Sequence, residues 1–207
     1  MERRFLRFVL LLVAGVVIGA VAGLALRLVV LEGGPPSQFA RTSKISIGGS
    51  FTLLDHRGNE VSDSDFRGSY LLVYFGYTFC PDLCPTTLQD MSLALEALGP
   101  AGDKVQPLLI TVDPERDTVE VLADYVSLFH PRLVALTGSL EQVAIAARAY
   151  GVYYAKVIEE GEDADAYLMD HSTFVYLLGP DGDYLTHFSH GASPEALAEG
   201  IGKFFEG

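Results

Sequence analysis

The sequence predicts a three-layer α/β domain in which helices cover both faces of a central mixed β-sheet. Two observations support this prediction. Short apolar segments typical of strands alternate along the chain with segments whose apolar residues recur at helical spacing. The last two strand-like segments are separated only by residues 179–183, a Gly-Pro-Asp-Gly-Asp sequence that indicates a hairpin connection and gives the sheet an antiparallel part.

The predicted strands are rich in apolar and β-branched residues and are bounded by turn-forming residues. Two of them, residues 70–75 and 105–112, are apolar almost throughout, as expected of strands that are buried on both faces. The full set is residues 51–54 and Val61 around a turn at 55–59, then 70–75, 105–112, 133–137, 152–157, 173–178 and 184–188.

The predicted helices combine helical apolar spacing with capping residues at their starts. Asp117 with Glu120, and Ser139 with Gln142, form the pattern of a capping box. Ser193 is predicted to cap the last helix, with a proline at its first position. The helices are residues 85–98, 118–129, 140–150 and a final one that begins at 193–195.

The N-terminal residues 1–31 are predicted to form a cytoplasmic stub and one transmembrane helix. Arg3, Arg4 and Arg7 precede an uncharged stretch, residues 8–26, close to the ~20 residues that cross a bilayer. Basic residues before the span favour a cytoplasmic N-terminus and place the rest on the far side. An alternative is a cleaved signal peptide with its site at residues 20–22, which also exports the domain. Residues 32–44 are predicted to be a linker and residues 45–207 the folded domain.

The charge of the chain limits its partners. The formal net charge is −13, and residues 1–37 hold four arginines and two glutamates, so residues 38–207 carry about −15. A nucleic-acid-binding surface needs clustered lysine and arginine, and residues 38–207 contain no such cluster. Nucleic acid is therefore excluded as a partner, and a cation or a basic protein fits better.

Cys80 and Cys84 are the only cysteines, and they lie between the strand 70–75 and the helix 85–98. This layout resembles that of thioredoxin-like domains, in which the functional cysteines follow a central strand and precede a helix. With Pro85 at the first helical position, Cys84 is predicted to be the N-cap. The positive end of the helix favours ionisation of both thiols.

Three interpretations of this cysteine pair remain open. A structural disulfide would close a loop of only a few residues and stabilise the domain little. A redox couple is the second, although exchange motifs in this fold usually have two residues between the cysteines and not three. The third is a copper site, because Cu(I) prefers soft thiolates and imidazole suits both copper oxidation states.

A copper site needs a further ligand, and five histidines are available. His171 is the best candidate, because it precedes the strand 173–178, whose start lies beside the cysteine loop in a thioredoxin-like sheet. The alternative is a buried histidine held by Asp170 or by the backbone. Of the other four histidines, His56 and His130 are predicted to lie on the surface. His187 and His190 have His-x-x-His spacing, which is a weak metal-binding pattern.

Three motifs, in this order along the chain, resemble the Sco/SenC family of copper-delivery proteins. They are residues 74–87 (YFGYTFCPDLCPTT), residues 111–118 (TVDPERDT) and residues 170–172 (DHS). The similarity covers roughly residues 45–207. It implies a thioredoxin-like three-layer sandwich on one N-terminal transmembrane helix in the inner (cytoplasmic) membrane, with the domain facing the periplasm.

The resemblance further implies that Cys80, Cys84 and His171 bind copper, Cu(I) or Cu(II). The expected function is a metallochaperone, not an enzyme, that delivers copper to the copper A centre of cytochrome c oxidase subunit II or to another copper-accepting protein. The alternative is a thiol–disulfide reductase of the acceptor's cysteines, with Cys80 and Cys84 as a redox-active disulfide when oxidised. The chaperone needs His171, whereas the reductase needs only the cysteines.

The resemblance also implies that residues 113–118 lie near the site; the alternative is a turn followed by a helix cap. Tyr77 and Phe79 are candidates for the rim of the copper loop. Met91 and Met169 are predicted to be core side chains.

Overall fold

The computed structural model describes residues 47–158 and 166–205, together with Val21 and Leu24, which are both helical. The chain divides into two compact units, Met1–Lys44 and Ile45–Gly207, and the second is the predicted folded domain. Within the described ranges no helix has the length and apolar character needed to cross a membrane. The predicted anchor at 1–31, apart from those two residues, and the predicted linker at 32–44 lie outside the described residues.

A mixed sheet of seven strands forms the centre of the described domain, in the order β2-β1-β5-β4-β3-β8-β9. The pairs β3/β4 and β4/β5 are parallel, and the other neighbours are antiparallel. Two further strands, β6 and β7, form a separate antiparallel ribbon. The strands are β1 Thr52–Asp55, β2 Glu60–Ser62, β3 Tyr70–Gly76, β4 Val105–Thr111, β5 Val134–Thr137, β6 Tyr154–Val157, β7 Leu168–His171, β8 Val175–Leu178 and β9 Tyr184–Phe188.

Helices cover both faces of this sheet, as predicted. Successive residues of a strand point to opposite faces, and Tyr74 of β3 reaches Cys84 of the first helix, whereas Phe75 packs on Tyr150 of the third. The first and fourth helices pack against each other. The helices are α1 Leu83–Ala97, α2 Val119–Val126, α3 Leu140–Tyr150 and α4 Pro194–Gly202, with 3₁₀ turns at Asp63–Phe66 and Gly99–Lys104.

The start of α1 differs from the prediction. The helix begins at Leu83 with Asp82 as its N-cap residue, so Cys84 lies in the first turn and Pro85 is the third helical residue. A proline is tolerated anywhere in the first turn, because the N–H groups there have no partner within the helix. Pro85 therefore marks a helix start only to within one turn, and the prediction that Cys84 is the N-cap was wrong.

The capping predictions have mixed outcomes. Ser139 and Gln142 form the predicted capping box, and α3 has the predicted bounds. The Ser193 side chain accepts from the Ala196 N–H, also as predicted. Thr118, and not Asp117, caps α2, because the Asp117 carboxylate is used in the interior.

The strand β7 was not predicted. His171 was expected to precede a strand that begins at Thr173, but it ends β7, where it pairs with Tyr154 of β6, and β8 begins only at Val175. A four-residue strand with a charged residue carries little signal of its own, because strand formation depends on the neighbour with which it pairs.

The turn at the end of α3 depends on the left-handed backbone conformation of Gly151, and substitutions there test this dependence. Gly151 adopts φ 66°, in the left-handed region, and a Cβ placed there would meet no atom within 4 Å. We therefore expect Gly151→Ala to lower the free energy of unfolding by about 1 kcal/mol through backbone strain alone. Gly151→Asn should lose less, since asparagine tolerates this conformation. Denaturant unfolding of the three proteins measures the order, and an alanine variant as stable as the wild type would contradict it.

Candidate metal centre

The two cysteines lie at the edge of the sheet where β3 ends. Residues 77–82, here called the cysteine loop, connect β3 to α1 and contain Cys80, which is half-buried. Cys84, in the first turn of α1, is completely buried. Both are free thiols, and the Cys84 N–H donates to Cys80 Sγ over 3.3 Å. The helix start thus presents a backbone donor to the first sulfur.

His171 reaches the same place from the ribbon β6/β7. Its Nε2 lies 3.6 Å from Cys84 Sγ, and its Nδ1 lies 3.0 Å from the carbonyl oxygen of Ser172. A carbonyl only accepts, so Nδ1 carries the proton and donates. This contact leaves the Nε2 lone pair directed at the cysteines, which is the tautomer that a metal ligand requires.

Two tyrosines enclose the imidazole. The rings of Tyr74 and Tyr77 make edge-to-face contacts with His171 at centroid distances of 6.1 and 5.8 Å. The Tyr74 hydroxyl also donates to Cys84 Sγ over 3.6 Å. Gly76 makes room for this packing, because a Cβ there would lie 3.1 Å from Cys84 Sγ. Of the two predicted rim residues, Tyr77 is buried as a wall of the site, and Phe79 is exposed.

The surroundings give the two thiols opposite acidities. Hydrogen bonds from Cys84 and from backbone N–H groups lower the pKa of Cys80 to about 3, against the opposing effect of burial. The proximity of Cys80 and complete burial raise the pKa of Cys84. The pair therefore releases its first proton easily, from Cys80, and its second only with difficulty in the absence of a cation.

The spacing of the donors suits a metal ion. Within residues 47–158 and 166–205 there is no closed cluster of three or more His, Cys, Asp or Glu side chains ready to hold one. Cys80, Cys84 and His171 are instead linked in a hydrogen-bonded row. Donors bound to one first-row ion at about 2.0 and 2.3 Å with a near-tetrahedral angle stand about 3.5 Å apart, close to the 3.6 Å between Cys84 Sγ and His171 Nε2. An ion that replaced the thiol protons would meet a fitting donor pair.

An open cleft of about 340 Å³ gives access to this centre. Cys80 and His171 line it, and Cys84 does not. Asp82 and Asp170 supply negative charge to its wall. Met169 is buried, as predicted for a core residue, but it also faces the cleft, whereas Met91 lies in the core alone.

The 111–118 motif is hydrogen-bonded to the cysteine loop through Asp117. Asp117 is fully buried, and its carboxylate accepts hydrogen bonds from the Thr78 N–H, the Thr78 hydroxyl and the Thr111 hydroxyl. Burial raises the pKa of Asp117 despite these donors. Asp117 of the motif therefore lies next to the site, as the resemblance implied. It holds the cysteine loop through its hydrogen bonds with Thr78.

The remaining histidines take no part in the cleft. His56 and His130, predicted on the surface, are half-buried, and each accepts a backbone N–H, from Ala135 and Arg132. His187 and His190 are exposed. Tyr167 was not predicted as a site residue, and no sequence motif marked it; it lies beside the site in contact with Arg116.

The sheet order and the cysteine pair between a central strand and a helix define a thioredoxin-like α/β domain with a dithiol–imidazole centre. The SCO1/SenC family model matches residues 39–206. The chain is 40% identical over 177 residues to Protein sco1 of Schizosaccharomyces pombe, covering 85% of this chain and 67% of that protein. It is 48% identical over 155 residues to the mitochondrial Protein SCO2 homolog of Bos taurus, covering 74% of this chain and 58% of that protein.

The crystal structure of Arabidopsis thaliana ScoI with copper bound is 40% identical in sequence to this chain, with a TM-score of 0.73. The match covers 78% of this chain and 99% of that one. The chain therefore belongs to the SCO1/SenC family. It spans about three fifths of the length of the bovine relative.

The acidity of Cys80 leads to a labelling test. Because its pKa is about 3, Cys80 is a thiolate throughout the neutral range. The rate of its alkylation by iodoacetamide should therefore change little between about pH 5 and pH 8. The alkylation rate of an ordinary thiol, with a pKa of about 8.5, rises roughly tenfold per pH unit over this range. Mass spectrometry should find the label on Cys80 first. As the control, Cys84 in Cys80→Ser should react slowly. A tenfold rise per pH unit at Cys80 would contradict the lowered pKa.

Proposed function

We propose that this protein is a copper chaperone in the assembly of cytochrome c oxidase, and that it binds copper through Cys80, Cys84 and His171. The observation that carries this proposal is the 3.6 Å approach of the His171 Nε2 lone pair to Cys84 Sγ beside the acidic thiol of Cys80. The copper bound in the related Arabidopsis thaliana structure supports it.

The donor set explains how one site can serve both copper oxidation states. Two thiolates satisfy the preference of Cu(I) for soft ligands and for low coordination numbers. Cu(II) favours a set that includes nitrogen or oxygen, which His171 supplies. Copper would replace the proton of Cys84, whose thiol has a raised pKa. Copper binding would therefore release this proton, and copper affinity would fall as the pH falls.

We propose that the site serves a carrier and not an enzyme. The cleft brings together ligands and two wall carboxylates, Asp82 and Asp170, whose negative charge favours a cation. We further propose that the acceptor is the copper A centre of cytochrome c oxidase subunit II, or another copper-accepting protein. Residues 1–31 would hold the domain at the inner membrane as a single-pass anchor with a cytoplasmic N-terminus, facing the periplasm.

A second candidate function is a thiol–disulfide reductase for the acceptor. The acidity and partial exposure of Cys80 favour it, because a thiolate is the form that attacks a disulfide. Cys80 would form a mixed disulfide with the acceptor, and Cys84 would then displace it, which leaves Cys80 and Cys84 joined and the acceptor reduced. This chemistry uses both sulfurs and does not need His171.

Copper titration tests the role of the cysteines. The reduced full-length protein in detergent, titrated without oxygen, should bind about one copper ion per chain, and Cu(II) should produce a sulfur-to-copper charge-transfer band. Cys80→Ser and Cys84→Ser should each abolish the band. The double serine variant is the decisive case: stoichiometric, coloured copper binding in that protein would remove the cysteines from the site.

Replacing the histidine separates the two functions. His171→Ala should lose Cu(II) affinity by at least about 100-fold, since even residues outside the ligand set change metal affinity by about 10–100-fold. Much of the Cu(I) affinity should remain, because both thiolates remain. His187→Ala is the matched control, since His187 also packs against aromatic rings but lies outside the cleft.

The stability of both histidine variants must be measured, because an unfolded domain would mimic a lost ligand. In cells, His171→Ala should lower cytochrome c oxidase activity while the protein accumulates normally. Unchanged Cu(II) affinity and spectrum in folded His171→Ala would remove the imidazole from the site and favour the reductase.

A further inference from the structure

Arg116 occupies an unusual position among three aromatic rings. Its guanidinium carbon lies 3.6 Å from the ring centroid of Tyr167, 4.6 Å from that of Phe79 and 6.0 Å from that of Tyr77. Its Nη2 is buried and finds no hydrogen-bond acceptor within the described part of the chain. The ring faces are the compensation for this nitrogen, since an aromatic face attracts a cation.

The other nitrogens of Arg116 fix its orientation. Nε pairs with the carboxylate of Asp113, which is almost fully buried, and Nη1 donates to the carbonyl oxygen of Tyr167 over 2.9 Å. The Tyr167 hydroxyl donates to the second oxygen of Asp113 over 2.8 Å. Asp113, Arg116 and Tyr167 therefore form a closed ring of interactions.

This ring of interactions joins the two parts of the chain that carry the metal donors. Phe79 directly precedes Cys80 in the cysteine loop, and 56% of its surface is exposed even though it is a large aromatic residue. Tyr167 directly precedes β7, the strand that ends in His171. Arg116 lies between them and contacts both side chains.

The ribbon that carries His171 has few other attachments to the main sheet. The strands β6 and β7 pair only with each other in the described residues. Lys156 of β6 adds to the same cluster, because it forms an ion pair with Glu115 and lies 4.3 Å from the centroid of Tyr167. The 113–116 turn thus ties the ribbon to the sheet edge, in addition to the packing of His171 on Tyr74 and Tyr77.

We infer that Arg116 is a positioning residue that holds the β6/β7 ribbon against the cysteine loop and so keeps His171 Nε2 3.6 Å from Cys84 Sγ, a role that rests on the proposed copper binding. The contact with Phe79 sets the loop side, and the contacts with Tyr167 set the ribbon side. Loss of Arg116 weakens the contribution of His171 and leaves Cys84, which α1 and Tyr74 of β3 hold independently, and the N–H of Cys84 as a donor to Cys80 Sγ.

The test compares Arg116→Lys with wild type in the reduced full-length protein in detergent micelles. Lysine keeps the charge but lacks the planar fork that pairs with Asp113 and stacks on Tyr167. Before any metal is added, the ring signals of His171 in histidine-labelled protein should shift, because the ring currents of Tyr74 and Tyr77 act on it at short range. Hydrogen exchange of the β6/β7 amides should rise about tenfold.

Copper then provides the second measurement. Cu(II) affinity should fall by about 10–100-fold, as for other residues that orient a ligand, while Cu(I) affinity changes far less. Phe79→Leu is the milder variant. It alters only an exposed side chain and should move the same signals in the same direction, so it tests the inference even if Arg116→Lys does not fold.

Arg132→Lys is the matched control. Arg132 also donates to backbone carbonyls, those of Gly102 and Asp103, but it does so beside the start of β4, whereas the cysteine loop follows the end of the parallel strand β3. This variant should lower stability to a similar extent and leave the His171 signals and the ratio of Cu(II) to Cu(I) affinity unchanged.

The outcomes separate this inference from the proposed function. Unchanged His171 signals and unchanged β6/β7 exchange in folded Arg116→Lys, or in Phe79→Leu where the lysine variant does not fold, would overturn the positioning role. Shifted His171 signals with unchanged affinity for both copper states would uphold the positioning by Arg116 and would instead remove His171 from the copper site.

Discussion

The buried carboxylate of Asp117 is the interaction on which the site depends. The carboxylate accepts hydrogen bonds from Thr78, just after β3, and from Thr111, at the end of β4. The backbone carbonyl oxygen of Asp117 accepts a further one from the hydroxyl of Thr137, at the end of β5. The carboxyl ends of three neighbouring parallel strands are thereby tied at one point. Burial raises the pKa of Asp117, so the ionised carboxylate costs stability at neutral pH, and the arrangement is best understood as serving geometry.

The donors on this frame differ in how they are held. Cys84 lies in the first turn of α1 against Tyr74 and next to the space left by Gly76, so its sulfur belongs to the core. His171 comes from a two-stranded ribbon outside the main sheet. In the proposed copper site, a nitrogen donor on a ribbon outside the main sheet would join or leave the sulfurs by a small local displacement.

The parts of this structure that could be predicted from the sequence are those with local causes. The helix α3 has the predicted bounds because Ser139 and Gly151 act on the residues beside them. The central mixed sheet was also predicted, since apolar runs and hairpin signals are local. The strand β7 and the internal role of Asp117 were not, because each depends on partners distant in sequence. The approach of His171 to the cysteines was expected from the thioredoxin-like layout and from the family resemblance, and not from local sequence, since 87 residues separate it from Cys84.

The two sulfurs differ in exposure, so a molecule in the cleft reaches them in a fixed order. Cys80 lines the cleft and has the acidic thiol, whereas Cys84 is buried behind it and resists ionisation. An incoming ligand or disulfide therefore meets Cys80 first, and Cys84 reacts only after that contact has formed. Copper transfer and disulfide exchange would thus share their first step and diverge at the second, where His171 either holds a metal ion or has no part. The same geometry is compatible with both proposed chemistries, and only the proposed copper binding uses the imidazole.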